Sequence, residues 1–190
     1  MTSHAPRVLA DRPARAAQTH ADRDRVDDLV PDLLAPGLRL VFCGTAPSRA
    51  SAAARAYYAK PGNRFWPALH RAGITPRLFA PGEYSQLLTL GVGLTDLCKH
   101  CSGTDEELPD NAFDVPAFTK KMLRHRPDWV AFTSKNAARA ALGRSTGYGV
   151  QTARIGETRV FVLCSPSGLA TRFWREDIWV ELGRLARRNR

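Results

Sequence analysis

Three stretches of the chain carry residues whose types and spacing could do chemistry. The first is Val41-Phe42-Cys43-Gly44-Thr45-Ala46-Pro47-Ser48, an apolar run that stops at a glycine and turns through a proline. Its turn offers the backbone N–H groups of Thr45, Ala46 and Ser48, while Pro47 donates none and stiffens it; such donors suit an anion or a planar ligand with carbonyl acceptors. The second, Val160-Phe161-Val162-Leu163-Cys164-Ser165-Pro166-Ser167-Gly168-Leu169, repeats the design near the other end of the chain. The third, Gly91-Val92-Gly93-Leu94-Thr95-Asp96-Leu97, is strand-like and ends at an acid. Directly after it, Cys98-Lys99-His100-Cys101 has metal-ligand spacing. A tetrahedral site needs a second pair at comparable spacing, which the chain lacks. Cys43 and Cys164 end apolar runs, where a buried free thiol is ordinary. The cysteines therefore read as structural, too few for a disulfide framework, and no metal is expected.

Elements must carry these stretches to one place. Buried strands are expected at Leu38 to Cys43, Gly91 to Leu97, Trp129 to Thr133 and Arg159 to Cys164, with Gly147 to Thr158 a loop or edge strand. Helical spacing predicts helices over 25–34, 63–72 with Asn63 as N-cap and Gly73 as stop, 81–90, 114–126, 136–142 opened by Ser134-Lys135 and closed by Gly143, and 173–188. Residues 49–59 read as a loop with some helical character, and Lys99 to Asn111 as a surface loop. Strands alternating with helices predict an α/β fold, a three-layer α/β/α sandwich on a mainly parallel sheet, whose carboxyl edge is where such folds bind ligands.

At 190 residues and 44% hydrophobic content the chain suits one domain with a substantial core. Residues 1–24 lack apolar periodicity and read as a disordered leader, with the domain at 25–190. The net charge is +10, yet residues 1–36 hold five Arg against six Asp, so the basic surface belongs to the remainder. That favours a polyanionic partner. No run approaches the roughly 18 apolar residues of a membrane span, and the N-terminus lacks a signal-peptide core. A cytosolic protein is expected, with no membrane partner. The loop at Gly44 lacks both G-x-G-x-x-G and G-x-x-x-x-G-K-[ST], which argues against a nucleotide cofactor.

Gly-x-x-Pro after the first strand, Lys60-Pro61-Gly62-Asn63-Arg64-Phe65-Trp66, Gly93-Leu94-Thr95-Asp96-Leu97, Ser134-Lys135 and Pro166-Ser167-Gly168-Leu169 occur in that order. Together they resemble the mismatch-specific uracil-DNA glycosylases and thymine-DNA glycosylases, from about residue 38 to 185. The resemblance implies a three-layer α/β/α fold and excision of uracil, or thymine in some members, without metal or redox cofactor. It also implies a monomer acting on double-stranded DNA that holds uracil or a mismatch, and possible action on single strands. An enzyme of this kind must rotate a nucleotide out of the helix, read the base and fill the gap. By the resemblance, Gly44, Thr45, Ala46, Tyr58 and Ser165 line the base pocket, with Tyr58 stacking on the pyrimidine and the Thr45 and Tyr58 amides on its carbonyls. Lys135, Ser167, Gly168 and Arg172 contact the DNA, and Leu169 is the wedge. Thr171 takes the family's arginine place, so Arg172 stands one residue late.

The family pattern is Gly-x-Asn-Pro, its asparagine positioning the attacking water, and Ala46 stands there instead. A methyl group cannot orient water. Asp96 is the expected replacement, because an anion below the sugar stabilises oxocarbenium charge and can hold or deprotonate water. Lys99 or Arg64 would keep it charged. His100 is a rival, and Asp105 reads as a loop acid. The other readings are a relative that binds damaged bases without cutting, and a nucleotide-binding α/β protein.

Overall fold

The computed structural model describes residues 28–143 and 145–187. The leader expected at 1–24 and the first residues of the helix expected at 25–34 lie outside them. Five strands form one sheet: β1 (Leu40–Gly44), β2 (Val92–Asp96), β3 (Trp129–Phe132), β4 (Gly149–Ile155) and β5 (Thr158–Val162), in the order β2-β1-β3-β5-β4. All neighbours are parallel except β4, which runs antiparallel to β5 as an edge strand. From β1 the chain moves outward to β2, then crosses back to β3 on the other side of β1. That reversal puts a topological switch point at the carboxyl end of β1.

The strands read as unbroken apolar runs because both faces of the sheet are covered. Side chains alternate across a strand, so Leu40 and Phe42 of β1 enter one core with Leu94, Ala131 and Phe161, while Val41 and Cys43 enter the other with Val130, Phe132, Val160 and Val162. The first core is closed by α2 (Phe65–Arg71), through Phe65, Trp66 and Leu69, and by α5 (Glu176–Arg187), through Trp179 and Leu182. The second is closed by Phe118 and Met122 of α3 (Val115–His125) and by Ala137 and Ala138 of α4 (Lys135–Leu142). Three layers result, as expected.

Boundaries follow local chemistry. Ser134 Oγ accepts from Ala137 N, and Gly143 closes α4 in the left-handed region, φ 66°. Asp114 caps α3 through the Ala117 amide. Asn63 Oδ1 accepts from Phe65 N at 2.9 Å, one position further out than the N-cap expected, since α2 starts at Phe65. Ser48 caps a true helix, α1 (Arg49–Ala54), where only helical character was expected. Pro81–Leu90 is a 3-10 helix.

Three expectations are corrected. Residues 28–34 are not helical: Leu33 N and O both pair with Leu94, and Leu29 N donates to Lys99 O, so the segment lies along the open edge of β2. The last helix begins at Glu176 rather than Phe173, because a separate 3-10 turn occupies Gly168–Phe173. Cys98 and Cys101 are joined by a disulfide, leaving only Cys43 and Cys164 as buried free thiols. No described helix is long and apolar enough to cross a membrane.

Candidate functional site

The ends of β1 and β2 bring Gly44 and Asp96 into register as direct neighbours. Beyond them the two loops are stitched together through the backbone: Leu97 N donates to Gly44 O at 3.0 Å, Cys98 N to Thr45 O at 2.7 Å and Gly103 N to Pro47 O at 3.1 Å. In a trans peptide the C=O and the next N–H point opposite ways. With those three carbonyls turned toward 97–103, the amides of Thr45, Ala46 and Ser48 face the other side. These are the three donors expected from the sequence.

Gly44 is required by its neighbours. A Cβ there would collide with the Asp96 carboxylate and come within 3.4 Å of the Tyr58 hydroxyl. Asp96 is thus held beneath the strand end, 4% exposed, with the Gly44 backbone hydrogen-bonded to it. Among the described residues its Oδ2 has no partner. Burial pushes this carboxyl up to about 7. The positive charge of Lys99 is the main counterweight, the charge of Asp32 adds to the rise, and Lys121 and the Gly44 hydrogen bond oppose it.

Lys99 was expected on a surface loop and is instead buried. Its ammonium reaches Asp32 Oδ1 at 2.8 Å, Val30 O at 2.6 Å and the Tyr57 hydroxyl at 3.0 Å. Lys121 holds the other oxygen of Asp32 at 2.5 Å, and Thr95 Oγ1 donates to Asp32 at 2.8 Å. Burial would raise the Asp32 carboxyl, but the two lysines together hold it below its ordinary value. This cluster sits on the outer side of β2, and its two cations bias Asp96 toward the ionised form without touching it. No local pattern announces this cluster, because Asp32 falls in a stretch read as helix. Arg64, the other cation expected near Asp96, goes elsewhere.

Tyr58 is half-buried, its ring stacked on Phe65 with centroids 3.8 Å apart and planes 13° from parallel. Its hydroxyl donates to Thr133 Oγ1 at 3.2 Å, while Thr133 donates to Cys43 O. The backbone at Tyr58 has φ 54°, an unusual value for an aromatic residue. It is secured by the following amide, Ala59 N, which donates to the buried Ser51 Oγ at 3.0 Å. Phe65 is core and Trp66 Nε1 donates to Tyr57 O, so both serve packing.

The Pro166–Leu169 loop is held from behind by the 60–64 turn. Arg64 N donates to Pro166 O at 2.8 Å, its guanidinium reaches Thr171 Oγ1 at 3.0 Å and Ser167 O at 3.5 Å, and it lies over Trp174. Ser165 Oγ accepts from Ser167 N, and Ser167 Oγ from Leu169 N. Gly168 lies against Gly62 O. Leu169 is 71% exposed, and Arg172 is exposed beside it. Arg64 stood inside a recognised motif, yet only the fold shows what it grips.

Lys135 is exposed at the start of α4 with its ammonium 4.3 Å from the Tyr148 ring centroid. Asp105 is more than a loop acid: it accepts from Thr45 Oγ1 and from Asn136 Nδ2, both at 2.6 Å, and so ties the Gly44 loop to α4. His100 is exposed beyond the disulfide. A cleft of about 320 Å³ lined by Asp105, Phe113, Asn136 and Arg139 opens beside this tie, and a second of about 110 Å³ lies by Asp96, Lys99 and Lys121. The larger does not include Asp96, Tyr58 or Leu169.

Residues 31–183 match the family model described as the uracil DNA glycosylase superfamily. The fold is similar to the solution structure of a protein from Methanosarcina acetivorans provisionally named a uracil DNA glycosylase. The TM-score is 0.58 at 22% identity, covering 83% of this chain and 96% of that one.

Proposed function

The chain belongs to the uracil DNA glycosylase superfamily, and we propose that it is a monofunctional DNA glycosylase of the mismatch-specific kind. It turns uracil out of DNA, hydrolyses the N-glycosidic bond and leaves an abasic site. The observation that carries this reading is the Asp96 carboxylate, buried against Gly44 with one oxygen unmatched. The flipped base lies on the face of Tyr58 away from Phe65, its carbonyls toward the amides beyond Gly44. Ionised Asp96 stabilises the positive sugar and takes a proton from water, whose oxygen bonds to C1′. The electrons of the C1′–N1 bond leave with the pyrimidine, whose negative charge the amide donors stabilise. Leu169 fills the vacated stack, while Ser167, Gly168 and Lys135 bind phosphate.

Strand cleavage through a Schiff base is not part of the reading. Lys99 is engaged with Asp32, and Lys135 lies over Tyr148. The test is alkali cleavage of uracil-containing strands after incubation, in each mispair and in single strands. Excision is expected; no cleavage of any substrate would leave a protein that binds damaged bases without cutting. Ala46, with no group to orient water, favours that second reading. Asp96→Asn should lower single-turnover excision at least about a hundredfold, within the range of general-base catalysis, and leave DNA affinity intact. Near-normal rates would move the chemistry off Asp96.

A further inference from the structure

Leu169 is not the only large apolar side chain that the Gly168–Phe173 turn presents to solvent: Phe173 is 59% exposed. The two lie four residues apart on a segment whose backbone leaves helical geometry at Ala170, so their Cα atoms are within about 14 Å, the reach of four residues. The spacing of bases along a strand is about 3.4 Å. With Leu169 in the gap, Phe173 therefore falls within about four base steps of it, at the flank of the opened site. Two large exposed apolar side chains on one short segment offer a surface for a partner.

The mount is rigid. Thr171 Oγ1 donates to Gly168 O at 2.8 Å and itself accepts from Arg64, while Trp174, next after Phe173, packs on the core at Trp179. The charges around the pair favour a polyanion. The Arg172 guanidinium lies 5.6 Å from the Phe173 ring centroid. The nearby acids are neutralised: Glu176 pairs with Arg71 at 2.8 Å, and Asp177 with Arg175 at 2.7 Å. A surface of two apolar tips among net positive charge fits bases flanked by phosphates.

We infer that Phe173 is a second DNA-contacting residue, which packs against the bases flanking the gap that Leu169 fills and so sets the preference for duplex over single-stranded substrate. This inference rests on the glycosylase reading for its position relative to the flipped base. Single strands have no flanking pair to hold open, so they gain less from the ring.

The test compares the full chain with Phe173→Ala, Phe173→Leu and Phe173→Trp on uracil–guanine duplex and on the same strand alone. The ratio of single-turnover excision rates, duplex over single strand, should fall at least about fivefold in the alanine variant, given the usual worth of base–aromatic stacking. Tryptophan should restore it, and leucine should restore it only in part. An unchanged ratio, or equal loss on both substrates, overturns the inference. So does a wild-type dimer that Phe173→Ala dissociates in sedimentation, because the ring would then serve self-association. If the wild-type protein excises from no substrate, the glycosylase reading fails and binding decides Phe173. A duplex with 2-aminopurine beside the uracil should then report weaker binding and a smaller fluorescence change for the alanine variant, and equal behaviour overturns it.

Discussion

Asp96 faces opposing demands that titrate together. Folding moves its carboxyl from 3.8 up to about 7, first through burial. A raised acid favours the folded state only while protonated. Its contribution is complete below about pH 4 and is lost as pH rises through about 7, an effect of roughly 4 kcal/mol at most. Asp96→Asn should therefore be more stable than the native chain at pH 8 and equal to it near pH 4, in denaturant titrations at the two pH values. Excision should move the other way. A base that works ionised gives a rate rising with pH and half-maximal near 7, a limb that Asp96→Asn removes. A flat profile for the native chain would contradict the assignment. Asp96 could be read from the chain because it ends an apolar run. Its elevation could not, since the covering groups, Gly44 and the Asp32 cluster, come from other strands and segments.

At the scale of elements, the 60–64 turn and the Pro166–Leu169 loop act as one unit. Arg64 joins them through main chain and side chain, and the loop has few other ties to the core. Arg64→Ala keeps the amide bond to Pro166 and loses the guanidinium contacts. Duplex affinity should fall about tenfold, roughly 1.4 kcal/mol, with the melting temperature little changed because the side chain is half-exposed; titration with labelled duplex and a thermal melt separate the two. The elements themselves were largely legible. Asp114 and Ser134 announced α3 and α4, and Gly143 the closure of α4, because caps are local chemistry. The stretch 28–34 was misread because its apolar spacing suits a helix, while its backbone finds partners on the edge of β2. Phe173 was assigned to the last helix for the same reason: periodicity does not show where a 3-10 turn gives way.

Over the whole molecule, the excess of positive charge lies outside residues 1–36. If DNA is the ligand, log K should fall linearly with log salt by about 0.9 for each phosphate neutralised. Lys135→Ala should reduce that slope by about one, with a similar loss on all sequences; a slope unaffected by the change would remove Lys135 from the interface. By itself the sequence determined the layered α/β class, the two strand-end loops, the acid at 96 and the exposed Leu169. Each of these follows from local pattern: apolar runs, glycine and proline stops, and small-residue turns. Only the tertiary structure decided that Gly44 and Asp96 are in register, that Lys99 is buried on Asp32, that Arg64 grips the Pro166 loop and that Phe173 stands exposed on the same turn as Leu169. Those facts depend on which segments of distant sequence meet, and strand order and packing set such meetings rather than any local propensity.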